Sequence, residues 1–229
     1  MQIKKLVAWL GAMALCGAAQ ASFLYAEAPP GAGSLPGTTG VLGTAQTIAQ
    51  STLDSLSAIS GSLSSQAPQA GTPAYEVDLY RFYIPDLSLF SARASSGDPA
   101  DDFALFLFDA GGTGVMMNDD SSDLSPHLPQ GASGPAGFYY LAISLGGVEA
   151  LDAALGAVFA AGGFTDLRTG TGATLDSFVD TFARFSEVPF GYEITLTGAG
   201  VPEPGTLALV MLAVMGLAVA HRRRAVLRR

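Results

Sequence analysis

The chain is poor in charge, in cysteine and in lysine. Charged residues make up 14% of its 229 residues, against roughly a quarter in an average soluble protein. The single cysteine, Cys16, lies in an apolar amino-terminal stretch. The body therefore has no disulfide, no cysteine-ligated zinc and no thiol nucleophile. Both lysines, Lys4 and Lys5, sit at the amino terminus, and between Ser22 and Pro204 four arginines face all twenty acidic residues. Such a surface cannot neutralise phosphates, which excludes nucleic-acid binding; its natural partners are cations such as Ca²⁺. Asn118 is the only asparagine and opens no glycosylation sequon. Metalloprotease, P-loop and dinucleotide motifs are all missing. What is plentiful is apolar residues, at 49%, with 28 Gly and 13 Pro. That composition excludes wholesale disorder and favours strands and loops over a helical bundle.

The two ends read as addresses. Lys4 and Lys5 precede the apolar run Leu6 to Ala18, and Ala19-Gln20-Ala21 is an A-x-A cleavage site. Residues 1–21 are thus expected to be a signal peptide, a helix removed by signal peptidase between Ala21 and Ser22. Lipidation at Cys16 is the rival, but Leu15 is not the small residue which that chemistry wants. At the other end, Pro202-Glu203-Pro204 leads into Thr206 to Ala220, fifteen apolar residues, followed by His221, Arg222, Arg223 and Arg224. A single transmembrane helix is expected there, with the basic cluster in the cytoplasm and the body outside the inner membrane. The order of Pro-Glu-Pro, hydrophobic helix and Arg-rich terminus closely resembles the PEP-CTERM sorting signal. That resemblance implies a Gram-negative, exopolysaccharide-making bacterium and recognition by an exosortase, a membrane-embedded transpeptidase-like enzyme. The alternative is a permanent single-span anchor.

Between these ends, 22–73 is Ala/Gly/Ser/Pro-rich and reads as a flexible arm. Leu42, Ala45, Ile48, Leu53 and Leu56 predict an amphipathic helix over about 41–56. From residue 74 to 200 the pattern is that of short strands. Tyr75, Val77 and Leu79 alternate with Glu76, Asp78 and Tyr80, and further strands are predicted at Leu87 to Ala94, Phe103 to Phe108, Gly114 to Met117, Gly137 to Ser144 and Tyr192 to Thr197. Two short inserted helices are predicted from Val148, Leu151, Leu155, Val158 and Phe159, and from Leu175, Phe178, Val179, Phe182 and Phe185. The fold expected is mainly β, an antiparallel, jelly-roll-like β-sandwich. The series Asp78-Leu79-Tyr80-Arg81-Phe82, Leu105-Phe106-Leu107-Phe108-Asp109, Asn118-Asp119-Asp120 and Gly137-Phe138-Tyr139-Tyr140-Leu141 resembles the bacterial pre-peptidase C-terminal domains. Those are generally non-catalytic appendages of exported proteins. The final section, 201–229, is read as the sorting signal that the PEP-CTERM resemblance implies.

Candidate sites are few. Asp109, Asn118, Asp119, Asp120 and Asp123 crowd oxygen ligands into loops, as Ca²⁺ requires. Their spacing lacks the Gly and closing Glu of an EF-hand, and a solvated acidic turn is the stronger reading. His127, between Pro126 and Pro129, is expected in a loop. No Gly-x-Ser-x-Gly elbow accompanies it, so an exported hydrolase ranks last. No catalytic residue and no cofactor other than Ca²⁺ is expected. Tyr80, Tyr83, Tyr139 and Tyr140 are available for stacking sugars if they reach the surface. The leading expectation is a non-enzymatic structural or adhesive protein, sorted by exosortase to the cell surface or the polysaccharide matrix. A Ca²⁺- or carbohydrate-binding module is the alternative.

Overall fold

Alternating and β-branched or aromatic runs become strands throughout the body. The computed structural model describes residues 21–28, 33–34, 38–49, 54–66, 74–121, 123–181 and 189–200. In chain order the strands are β1 (Ala21–Ala26), β2 (Gln46–Thr47), β3 (Asp54–Leu63), β4 (Ser65–Gln66), β5 (Ala74–Tyr75), β6 (Asp78–Ile84), β7 (Ser91–Ser95), β8 (Phe103–Phe108), β9 (Gly114–Asn118), β10 (His127–Leu128), β11 (Gly137–Leu145), β12 (Val148–Leu151), β13 (Arg168–Thr169), β14 (Ser177–Asp180) and β15 (Phe190–Ala199). Among the described residues the helical elements are two 3-10 turns, Val41–Thr44 and Leu87–Leu89. The chain is therefore mainly β.

Two open sheets dominate. One is ordered β1-β3-β15-β7-β10 and the other β13-β9-β8-β11-β6-β2. Neighbours are antiparallel except for β1 with β3 and β2 with β6, which run parallel. Side chains alternate between faces along each strand. Phe82 and Ile84 of β6, Leu105 and Leu107 of β8 and Leu141 of β11 meet Leu56, Ile59 and Leu63 of β3 and Ile194 of β15 in one shared core. The opposite face of the second sheet is buried as well. Leu79, Ala104, Phe106, Phe108 and Ala142 lie under Val148, Val158, Phe159 and Phe178 of the 148–178 insertion. Burial on both faces explains why Phe103 to Phe108 is apolar without a break. Phe178 meets Phe106 edge-on at 5.6 Å, and Phe159 tilts against Phe108 at 5.4 Å. Each such ring contributes about 1.5–3 kcal/mol by leaving water.

The insertion differs from the expected helices. Val148–Leu151 and Ser177–Asp180 form an antiparallel two-stranded ribbon. The Asp152 carboxylate accepts the amides of Ala154 and Gly156, and Leu155 takes a φ of 63°. A side-chain acceptor that captures local amides competes with helix formation, and a left-handed residue ends it. Phe182 and Phe185, part of the second expected helix, lie outside the described residues.

The helix expected over 41–56 is also replaced, by the first 3-10 turn, β2 and the start of β3. Leu56, Ile59 and Leu63 all enter the core although they stand three and four apart. The register with β1 slips here, Phe23 pairing Leu56 and Leu24 pairing Ala58, so Ser57 is an extra residue. A strand with one bulge thus imitates helical spacing. Because β1 and β3 belong to the first sheet, the folded body reaches well into the segment read as a flexible arm. Of the strand predicted at Leu87 to Ala94, the first three residues are the second 3-10 turn, Phe90 caps it, and Ser91 to Ala94 open β7. The predicted signal helix (residues 1–20 of it) and the tail from 201 lie outside the described residues.

Candidate functional site

The inner face of β6 begins with charge. The same alternation that sends Tyr80, Phe82 and Ile84 into the core sends Asp78 inward, and Glu76 lies two residues ahead of it. Both carboxylates are fully buried, at 0% exposure. The sequence pattern assigned Val77 and Leu79 to the buried side and Glu76 and Asp78 to the open one. The insertion covers the outer face, so both sets are interior.

Glu27 joins them from the first sheet. It follows β1, and its N–H extends the parallel ladder to the Ser60 carbonyl at 2.8 Å. Its side chain is 6% exposed. Ligand atoms of Glu27, Glu76 and Asp78 all lie within 4.8 Å of one another. Each carboxylate has one oxygen fixed by a donor. Ser62 N–H donates to Glu27 Oε2 at 3.0 Å, Ser64 N–H to Glu76 Oε1 at 2.6 Å, and the Tyr192 hydroxyl to Asp78 Oδ2 at 2.5 Å. Tyr192 has one proton and gives it to Asp78, so Tyr80, 2.5 Å away, donates to the Tyr192 oxygen. Asp78 Oδ1 is buried with no hydrogen-bond partner. Glycine backbones approach closely on two sides: a Cβ on Gly33 would collide with Asp78 Oδ1, and one on Gly61 would lie 2.8 Å from Glu27 Oε2.

The electrostatics follow from this burial. Asp78 is pushed up to about 8, chiefly because a dry environment disfavours its charge, with Glu27 and Glu76 adding to the rise and the Tyr192 hydroxyl opposing it. The Tyr80 and Tyr192 hydroxyls are pushed well above their ordinary value, again mainly by burial and then by Asp78. Three buried carboxylates call for a shared proton or a bound cation. The ligand atoms they offer are all hard oxygens.

Beyond the cluster, β15 ends at Ala199, and residues 200–224 match the family model of the PEP-CTERM protein-sorting motif. The chain is a PEP-CTERM protein. The match contains Pro202, Glu203, Pro204 and Arg222 to Arg224. It implies an exported protein targeted to exosortase, its carboxyl-terminal tail anchored in the membrane before processing. No curated protein matches the chain.

The loop acids of this PEP-CTERM protein are mostly engaged with backbone. Asp109 Oδ1 accepts from Gly111 and Thr113 at 2.8 and 2.9 Å, closing a turn in which Gly112 takes a φ of +83°. Asn118 is buried; its Oδ1 accepts the His127 amide at 2.8 Å, and its Nδ2 donates to the Asp166 carbonyl. Asp119 accepts the Gly147 amide on both oxygens. Asp123 accepts from the Arg93 guanidinium on both oxygens at 3.0 Å, and its Oδ1 also accepts from the Ser121 hydroxyl and the Ser125 amide. Asp120 has its carboxyl raised by burial and by Asp102 and Asp123, and its Oδ1 has no hydrogen-bond partner. Among the described residues, the group whose ligand atoms converge is the Glu27 cluster rather than this one. His127 is in β10, paired with Arg93 of β7, and not in a loop.

The tyrosines divide by strand parity. Tyr80 and Tyr139 are core. Tyr83 and Tyr140 are on the outer face with Arg81 and Phe138. The Arg81 guanidinium stacks 4.0 Å from the Phe138 ring centre, and Tyr83 meets that ring edge-on at 5.7 Å. Phe138 is 37% exposed. The Glu27 cluster escaped the sequence reading because Glu27 and Asp78 meet only through the pairing of sheets. Its one local signal is an Asp on the same side of β6 as Tyr80 and Phe82.

Proposed function

We propose that this PEP-CTERM protein is a non-enzymatic structural or adhesive protein, which exosortase delivers to the cell surface or the extracellular matrix. The observation that carries the reading is the sorting motif, joined to a folded β body with only Gly200 and Val201 between β15 and Pro202. On this reading a signal peptide is removed between Ala21 and Ser22, one helix over 206–220 spans the inner membrane, and the body folds in the periplasm. The common core of the two sheets supports describing that body as a β-sandwich of the pre-peptidase C-terminal kind.

A specific observation supports a carbohydrate-binding role within this reading. Arg81, Tyr83, Phe138 and Tyr140 share the outer face of β6 and β11 beyond the insertion. Flat aromatic rings stack on sugar faces, and a guanidinium pairs with uronate carboxylates. An acidic matrix polysaccharide fits this patch.

The test is intact mass of the protein taken from the surface and from the inner membrane of its native host. Loss of both the first 21 residues and the tail beyond Pro204 is expected in the surface fraction. An intact Arg-rich terminus on surface protein overturns the processing claim.

A further inference from the structure

We propose that Glu27, Glu76 and Asp78 bind one Ca²⁺ ion, which ties the first strand, β1, to β6 of the opposite sheet. The inference is independent of sorting. It stands on two observations. Three carboxylate ligands, one following β1 and two at or just before the start of β6, lie within 4.8 Å of one another in the interior. Asp78 Oδ1 is fully buried beside them with no hydrogen-bond partner. An acceptor in that position loses its water and gains nothing in return unless a proton or a cation meets it.

The hydrogen bonds around the cluster are those of oriented ligands. Ser62, Ser64 and Tyr192 each hold one oxygen of a different carboxylate, which fixes where the other oxygen points. The close approach of the Gly33 and Gly61 backbones leaves room for the carboxylates and none for an added side chain.

The donor set selects the ion. Three carboxylates are hard oxygen ligands, without the nitrogen or sulfur that zinc prefers. Mg²⁺ gives up its water reluctantly, whereas Ca²⁺ accepts irregular carboxylate and carbonyl shells. A site this deeply buried therefore favours Ca²⁺.

The position gives the ion a structural task. Glu27 follows the edge strand of one sheet, and Glu76 and Asp78 lead into an inner strand of the other. An ion bridging them ties the end of β1 to β6 across the core, in addition to the parallel pairing of β1 with β3.

The experiment uses the full chain in detergent, stripped with chelator and titrated with CaCl₂ by calorimetry, with melting followed in parallel. One ion per chain and a higher melting temperature are expected. Tb³⁺ provides a site-specific readout, because Tyr192 touches Asp78: emission excited through tyrosine should appear and be chased by Ca²⁺. Asp78→Asn should abolish the tyrosine-sensitised emission. Glu27→Gln, at the edge of the cluster, should weaken Ca²⁺ binding at least tenfold while the fold persists, and Asp123→Asn should leave it unchanged. The absence of both binding heat and a melting shift overturns the proposal. So does unchanged affinity in Glu27→Gln, or loss of binding in Asp123→Asn with retention in Asp78→Asn. An equal melting shift with MgCl₂ overturns the choice of ion.

Discussion

Tyr192 on β15 donates its hydroxyl to Asp78 on β6 at 2.5 Å, so a hydrogen bond joins the two sheets inside their common core. Tyr80 donates in turn to Tyr192. Tyr192→Phe removes the middle of this chain and strands two buried polar groups at once. A loss of about 1–3 kcal/mol is expected for such a group, measured as a lower denaturant midpoint. The ring packing against Phe103 is kept, so the far-ultraviolet circular dichroism of the folded protein should not change.

The metal-free protein should lose stability as pH rises. Asp78 binds its proton more tightly when folded, at about 8, than at its ordinary value of 3.8. Its stabilising contribution is full below about pH 4 and is lost as pH climbs through about 8, because the folded state holds the extra proton over that window. The groups facing it are Glu27, Glu76, Tyr192 and Tyr80, and the two glutamates sharpen the effect. Thermal melting in chelator across the window is the measurement, and Asp78→Asn should flatten the profile.

Two arginines should differ sharply in their effect. Arg168 bonds Glu149 through both guanidinium nitrogens at 2.8 and 2.9 Å, and its Nε donates to the Ala160 carbonyl at 2.6 Å, in a largely buried position. Arg93 pairs with Asp123 in the open. Arg168→Ala should cost about 2 kcal/mol and loosen the 148–178 insertion, seen as faster amide exchange there. Arg93→Ala should cost less than about 1 kcal/mol.

The outer aromatic patch should affect binding without affecting folding. Phe138→Ala should reduce retention on immobilised alginate about tenfold, an energy of about 1.4 kcal/mol. The melting temperature should barely move, since the ring is partly exposed. Retention equal to that of the unaltered protein would remove the patch from the adhesive reading.

Much of the sheet was legible because its signals are local. Phe103 to Phe108 is a strand with the predicted ends, and Gly137–Leu145 and Phe190–Ala199 extend the predicted ones by a few residues. Where the pattern misled, two periodicities overlapped. The extra residue Ser57 spaced Leu56 and Ile59 like a helix, and the apolar stripes of the insertion served a two-stranded cover instead. The acidic loop around Asn118 was legible as acidic but not as wiring: its side chains organise backbone between β9 and β10. The Glu27 cluster was illegible for a different reason. Its members acquire meaning only when β1 and β6 come from opposite sheets, and no local pattern encodes that meeting.

Among the described residues, three of the four edges of the two large sheets, β2, β10 and β13, are strands of two residues each. A two-residue edge offers too short a ladder for another chain to extend. Copies crowded at a membrane or in a polymer can therefore lie side by side without fusing their sheets. The fourth edge, β1, has six residues and offers another chain the longest ladder of these four.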